Sequence, residues 1–244
     1  MIFDGESAAG LFGRELGKSL GRLFSRGGLS ERHRFLCTIA CLQAAGDTRN
    51  LTAMLRLSIS DLDDLVGVYE LLLQGYLFCG YPRAIESFFC LAEALADRAD
   101  LDPGAFEPRP FDSSPDLLER GRETHRLVHG RNFEKMRNKI SALCPDLGYL
   151  MIAEGYGHVL SRKELEIKAR ELAVVSSLSA IGSNRQLNSH IRGCRNVGCD
   201  DAEIYEAIYC GLPWLSAERV VDSLNVWSNI TGHDIIDSID NSHI

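Results

Sequence analysis

The feature that most constrains this chain is that part of it occurs twice. Residues 21–56 overlay residues 157–192 at a constant offset of 136 without a gap, and 12 of the 36 positions are identical. Gly21, Ser25, Arg26 and Leu29 match Gly157, Ser161, Arg162 and Leu165; Arg34, Leu36, Leu42, Ala44 and Gly46 match Arg170, Leu172, Leu178, Ala180 and Gly182; Arg49, Leu51 and Arg56 match Arg185, Leu187 and Arg192. After a five-residue difference that reads as loop length, Cys79-Gly80-Tyr81-Pro82 matches Cys210-Gly211-Leu212-Pro213. A period this long implies duplicated domains, not a solenoid. Pro103, Gly104, Pro108, Pro110 and Pro115 interrupt every helical pattern, so the reading is a first repeat over 1–96, a linker over 97–115, a second repeat over 116–232 and a tail over 233–244. Either repeat alone would expose the apolar faces of its helices, so the two are expected to pack as one unit.

Within each repeat, long Leu/Ala/Glu/Arg-rich segments run between isolated glycines with no period-2 alternation, which predicts an all-α fold. Ser60 with Asp63 and Asp200 with Glu203 read as helix starts, an oxygen cap followed by an acid near the positive helix end. Gly46 and Gly182 read as helix stops, because glycine enters the left-handed cap conformation without steric cost. The apolar stretch 65–81 contains Glu70 and Gln74 and is short for a bilayer span, so it reads as a buried helix. The formal charge is −8, with 26 Lys and Arg against 34 Asp and Glu and no basic stripe, which counts against a nucleic-acid partner. The first residues carry neither a basic nor an apolar signal region, so the expected compartment is the cytoplasm. Eight cysteines are scattered without a C-x-x-C pair or zinc-ligand spacing, and reduced, buried thiols without a metal are expected.

Chemistry is suggested by the second hairpin. Glu171 lies 11 residues before Gly182 and His190 lies 8 after it, which at about 1.5 Å per residue puts both at similar heights on an antiparallel helix pair. A carboxylate facing an imidazole can hold one ring nitrogen and leave the other to donate or accept a proton near neutral pH. Beside Leu187 and Cys194 on its helix, His190 by itself reads more readily as a buried histidine with a satisfied hydrogen bond. A second pattern, His125-x-x-x-His129, has the i, i+4 spacing that could hold zinc, but no third ligand is evident and surface or half-buried histidines are expected.

The run Gly157-His158-Val159-Leu160-Ser161-Arg162, then Leu165, Arg170-Glu171-Leu172 and Gln186-Leu187-Asn188-Ser189-His190-Ile191-Arg192, resembles the core of the carboxymuconolactone decarboxylases. Asn196-Val197-Gly198, Glu203-Ile204 and Glu206 continue the resemblance, as does 121–130 upstream; it covers 115–227 and more faintly 10–95. It implies an all-helical, alkylhydroperoxidase D-like fold, assembly into homo-oligomers, here a dimer or trimer, and His190 as the active-site histidine with Glu171 as its acid. The alkylhydroperoxidase branch places a C-x-x-C pair where this chain has Ser183 and Gln186, neither of which can form a thiolate. The decarboxylase branch usually has Glu where Gln186 stands, and commonly an acid and a Trp where His158 and Leu160 stand. In the first repeat the positions of Glu171 and His190 hold Phe35 and Met54, so that half reads as a structural partner.

The resemblance implies a lyase without cofactor acting on a small anionic lactone or related carboxylate. His190 would be the proton donor and Glu171 its orienter, with Ser183, Gln186, His158 and Arg162 as substrate contacts. Arg162 also reads as a structural salt bridge, since Arg26 occupies its place in the half without a histidine. Two other functions are open at this point: an antioxidant of peroxiredoxin type using Cys194, which follows His190 by one helical turn, and a non-catalytic oligomeric binding protein.

Overall fold

The computed structural model describes residues 1–98, 101 and 116–235, so nearly all of the expected linker and most of the tail lie outside the described residues. The described residues are helical and contain no strand. The first half comprises α1 (Gly5–Phe12), α2 (Arg14–Phe24), α3 (Glu31–Ala45), α4 (Thr48–Ser58) and α5 (Leu62–Leu95). The second comprises α6 (Leu117–His129), α7 (Phe133–Leu143), α8 (Pro145–Leu150), a π-helix over Met151–Leu160, α9 (Ile167–Ile181), α10 (Asn184–Asn196), α11 (Asp201–Tyr209) and α12 (Ala217–Thr231). No helix among them is long and apolar enough to cross a membrane.

The centre is α3 against α9. Residues 34–44 and 169–179 are buried without interruption, as expected for a helix surrounded on every side. The two run parallel and in register: His33 Nε2 meets Glu166 Oε1 at 2.9 Å at their starts, and Ser177 Oγ donates to the Ala40 carbonyl at 3.3 Å midway. Neither half closes its core alone. Leu165, Ala169 and Ala173 complete the apolar cluster of the first half, while Leu29 and Cys37 join that of the second.

Two buried ionic triads lock this pairing, and each member lies 136 positions from its counterpart. Glu206 takes Arg26 at 2.6 Å and Arg34 at 2.7 Å from the first half; Glu70 takes Arg162 at 2.6 Å and Arg170 at 2.8 Å from the second. Arg162 is therefore committed to Glu70 by a two-pronged bond, and its expected substrate contact gives way to the salt-bridge reading.

Parallel packing also brings together the carbonyl ends of α3 and α9, whose partial negative charges repel. Each ends on a left-handed glycine, Gly46 (φ 74°) and Gly182 (φ 71°), and neither has a basic residue in its own last turn. The guanidiniums of Arg83 and Arg219 lie directly over these glycines, where a Cβ would collide with them, and both line one depression beside the helix ends. The glycines thus make room for cations that oppose the two helix dipoles.

Two local expectations need correction. Asp61, not Ser60, caps α5, its carboxylate accepting from the Asp64 amide, while the Asp200/Glu203 box forms as expected. The five-residue difference between the halves lies in helix length instead of a loop: α5 runs on past Glu70 to a break at Gly80 (φ 84°, ψ 164°), whereas α11 ends at Tyr209. Replacing either Glu70 or Glu206 by Gln is expected to lower unfolding free energy by about 3–5 kcal/mol, because one fully buried and one part-buried guanidinium lose their counter-charge; urea denaturation measures this, and the two variants should be similar.

Candidate active site

The α9–α10 hairpin sets the site. Gly182 reverses the chain, and Glu171 and His190 then meet with His190 Nδ1 2.9 Å from Glu171 Oε2. Glu171 is fully buried and His190 is 5% exposed. The approach depends on Gly193, one turn after His190: a Cβ there would stand 2.7 Å from Glu171 Oε2 and 2.9 Å from Val128 Cγ1. With Nδ1 engaged, Nε2 of His190 has no protein partner among the described residues, and neither has Oε1 of Glu171. The edge of Phe78, on the extended part of α5, meets the His190 ring at 5.5 Å between centroids, so the first half supplies an apolar wall.

The expectation that His125 and His129 lie at the surface is overturned. Both are buried, because α6 packs backbone-close on the π-helix: Cβ atoms on Gly121 or Gly157 would strike the Ile152 or Leu117 carbonyl. Asn196 Nδ2 donates to the Val128 carbonyl at 2.8 Å and ties α6 to α10 as well. The result is a cluster of rings around His190. His129 lies 5.8 Å from His190 and 4.6 Å from His125, and its Nε2 is 2.5 Å from the hydroxyl of Tyr156 on the π-helix. Neither nitrogen of His125 has a protein partner among the described residues. Among the described residues no three His, Cys, Asp or Glu side chains are arranged to hold a metal ion.

Burial disfavours charge throughout this cluster. It lowers His125 to about 4, helped by Arg137 and His190, and His129 to about 2, helped by His190 and His125. It pushes the Tyr156 phenol well above its usual range, with the Glu171 charge adding to the effect. Both imidazoles are therefore neutral at physiological pH, and Tyr156 keeps its proton.

The other expected site residues are placed as follows. Gln186 is exposed on α10 one turn before His190, Ser183 is partly exposed at the N-cap of α10, and His158 is partly exposed on the π-helix. Cys194 is fully buried with its thiol raised well above the ordinary value, chiefly by burial and then by Cys199, so the expected redox role lacks a thiolate. Tyr156 and Phe78 escaped the sequence reading. Tyr156 had a signal: its counterpart at offset 136 is Leu20, so Leu20, Phe35 and Met54 replace Tyr156, Glu171 and His190 together, and all three are sealed in one apolar cluster.

An all-helical domain built around a buried acid–histidine pair is the class this fold and site define. Residues 145–229 match the model of the Carboxymuconolactone decarboxylase family. The chain is also similar to Peroxisomal protein 2 of Saccharomyces cerevisiae (strain ATCC 204508 / S288c), with 26% identity over 178 residues. That alignment spans 60% of this chain and 62% of the yeast protein. His125 and His129 precede the family match.

The two neutral histidines set an acid limit. Their folded pKa values lie below the unfolded value of 6.5, so the stability they carry is present above that pH and is lost as pH falls toward about 4. Thermal melting is expected to weaken across this acid window, and the dependence should flatten in His125→Asn and His129→Asn.

Proposed function

We propose that the protein is a lyase acting on a small anionic lactone or a related carboxylate by acid–base chemistry at Glu171 and His190. The observation that carries the reading is the 2.9 Å bond from His190 Nδ1 to Glu171, which leaves Nε2 without a protein partner among the described residues. Glu171 fixes which nitrogen faces the substrate and balances the imidazolium charge. The apolar surround, Phe78 included, weakens solvation of a leaving carboxylate. In the reaction the carbon–carbon bond to that carboxylate breaks, carbon dioxide departs, and the electron pair delocalises onto the lactone carbonyl as an enolate. His190 Nε2–H then delivers its proton to carbon, and solvent restores it. Gln186, Ser183 and His158 are the candidate contacts for the remaining polar groups. The antioxidant alternative finds no support here, since Ser183 and Gln186 stand where a thiol pair is required and Cys194 is enclosed.

His190→Gln is expected to keep the native melting temperature within a few degrees and to lower kcat on carboxymuconolactone by about 100-fold or more, because an amide holds a hydrogen bond but delivers no proton. Loss of stability with no change in turnover would reverse the assignment.

We also propose a homo-oligomer, a dimer or trimer, in the cytoplasm. Tyr81, Ile85 and Phe89 form an i, i+4, i+8 stripe on α5 that is 62%, 52% and 66% exposed, and Leu143 and Leu147 are exposed beside the α7–α8 turn. Multi-angle light scattering at micromolar concentration should give two or three chain masses, and a monodisperse monomer would remove this part of the reading.

A further inference from the structure

Four observations around His129 remain unused by the acid–histidine pair. The first is the bond between His129 Nε2 and the Tyr156 hydroxyl, 2.5 Å long and buried. Burial and the Glu171 charge keep the phenol protonated, and its O–H has no other acceptor among the described residues, so the arrangement that leaves no buried O–H unsatisfied has Tyr156 donating and His129 accepting. A neutral imidazole that accepts at Nε2 carries its own proton at Nδ1. His129 Nδ1 has no protein partner among the described residues, and its ring stands 5.8 Å from that of His190.

The second observation is His125, fully buried with both ring nitrogens unpartnered among the described residues. Each unsatisfied buried polar group costs about 1–3 kcal/mol, a burden relieved where water or another polar group from outside the chain reaches it. His125 meets Tyr156 edge-on at 4.7 Å and lies tilted against His129 at 4.6 Å, so that group would enter beside the same pair.

The third is the backbone. Tyr156 sits in a π-helix over Met151–Leu160, while the corresponding helix of the first half, Arg14–Phe24, is a regular α-helix. Local π geometry is frequent at functional sites because it redirects side chains at a cost in backbone hydrogen bonding. The fourth is paired loss: the half with Phe35 and Met54 also has Leu20 in place of Tyr156. A Tyr156 serving only to fill the core would have no reason to depart with the acid and the histidine.

We propose that His129, with its proton fixed on Nδ1 by Tyr156, is a second hydrogen-bond donor of the site and holds the oxygen on which negative charge develops, leaving His190 to move the proton. The assignment rests on the lactone reading and divides the labour within it. An uncharged imidazole suits the task, since it stabilises an enolate oxygen without the desolvation that a buried imidazolium would demand. It also does not compete with His190 for Glu171.

The test uses 15N-histidine-labelled full-length protein and tetronate, the enolate anion of a five-membered lactone, as the probe. In the free protein, ring-nitrogen spectra should show the His129 proton on Nδ1, and Tyr156→Phe should mix the two tautomers; a proton on Nε2 in the parent would overturn the proposal without any ligand. Tetronate should move the ring signals of both His129 and His190. His129→Phe should weaken its binding about 10- to 100-fold, the loss expected when a hydrogen bond to a charged group is removed. His129→Gln, which keeps an N–H donor, should recover part of that loss, and circular dichroism checks that both variants stay folded. Tetronate that shifts His190 and leaves His129 indifferent, or equal binding by all three proteins, would refute the role of His129 while the lactone reading stands. A parent protein that neither binds tetronate nor turns over carboxymuconolactone would end both.

Discussion

The structure depends on the exchange of carboxylates between its two halves. Glu206 neutralises two arginines that the first half buries, and Glu70 does the same for the second. Buried guanidiniums are tolerable only when paired and hydrogen-bonded, so neither half is electrostatically complete without its neighbour. That constraint fixes α3 beside α9 in parallel register, and the register in turn decides where α9 turns at Gly182 and where α10 begins. The meeting of Glu171 with His190 follows from that placement together with the absence of a side chain at Gly193.

The two halves share a scaffold and differ in its contents. Where the second places a phenol, a carboxylate and an imidazole, the first places Leu20, Phe35 and Met54, which pack with Phe24 and Leu36 as ordinary core. An apolar site needs no partners for its atoms and stabilises by burial; a polar one must satisfy every donor and acceptor or bear the cost. The site around His190 bears it at Glu171 Oε1 and at both nitrogens of His125. The first half has not become irrelevant to that site, since its lengthened α5 brings Phe78 against the His190 ring.

Much of this was legible in the sequence, for identifiable reasons. Glu171 and His190 could be paired because both lie on regular helices joined by a glycine stop, where rise per residue converts spacing into height. The Arg162 salt bridge could be weighed because Arg26 repeated it. His125 and His129 were misplaced because α6 carries Arg120, Arg122, Glu123 and Arg126 around them, so its composition reads as solvated, whereas its burial depends on Gly121 and Gly157 allowing backbone contact that no hydrophobic pattern records. Tyr156 was missed because a π-helix shifts the angular position of every side chain, and helical periodicity assumes that shift does not occur.

The two ionic triads are equivalent in space but not in the order in which a ribosome makes them. Glu70 is synthesised before Arg162, 92 residues ahead of it, and can wait in solvent as an ordinary carboxylate. Arg26 must wait through 180 residues for Glu206, and Arg34 through 172. Until Glu206 is made, the first half therefore has two guanidiniums that its closed core cannot accept. It has to remain open, or be held open, until α11 emerges, because contacts of such separation form late and expose apolar surface meanwhile. The exchange of carboxylates that completes each half thus also delays closure of the first core until α11 of the second has been made.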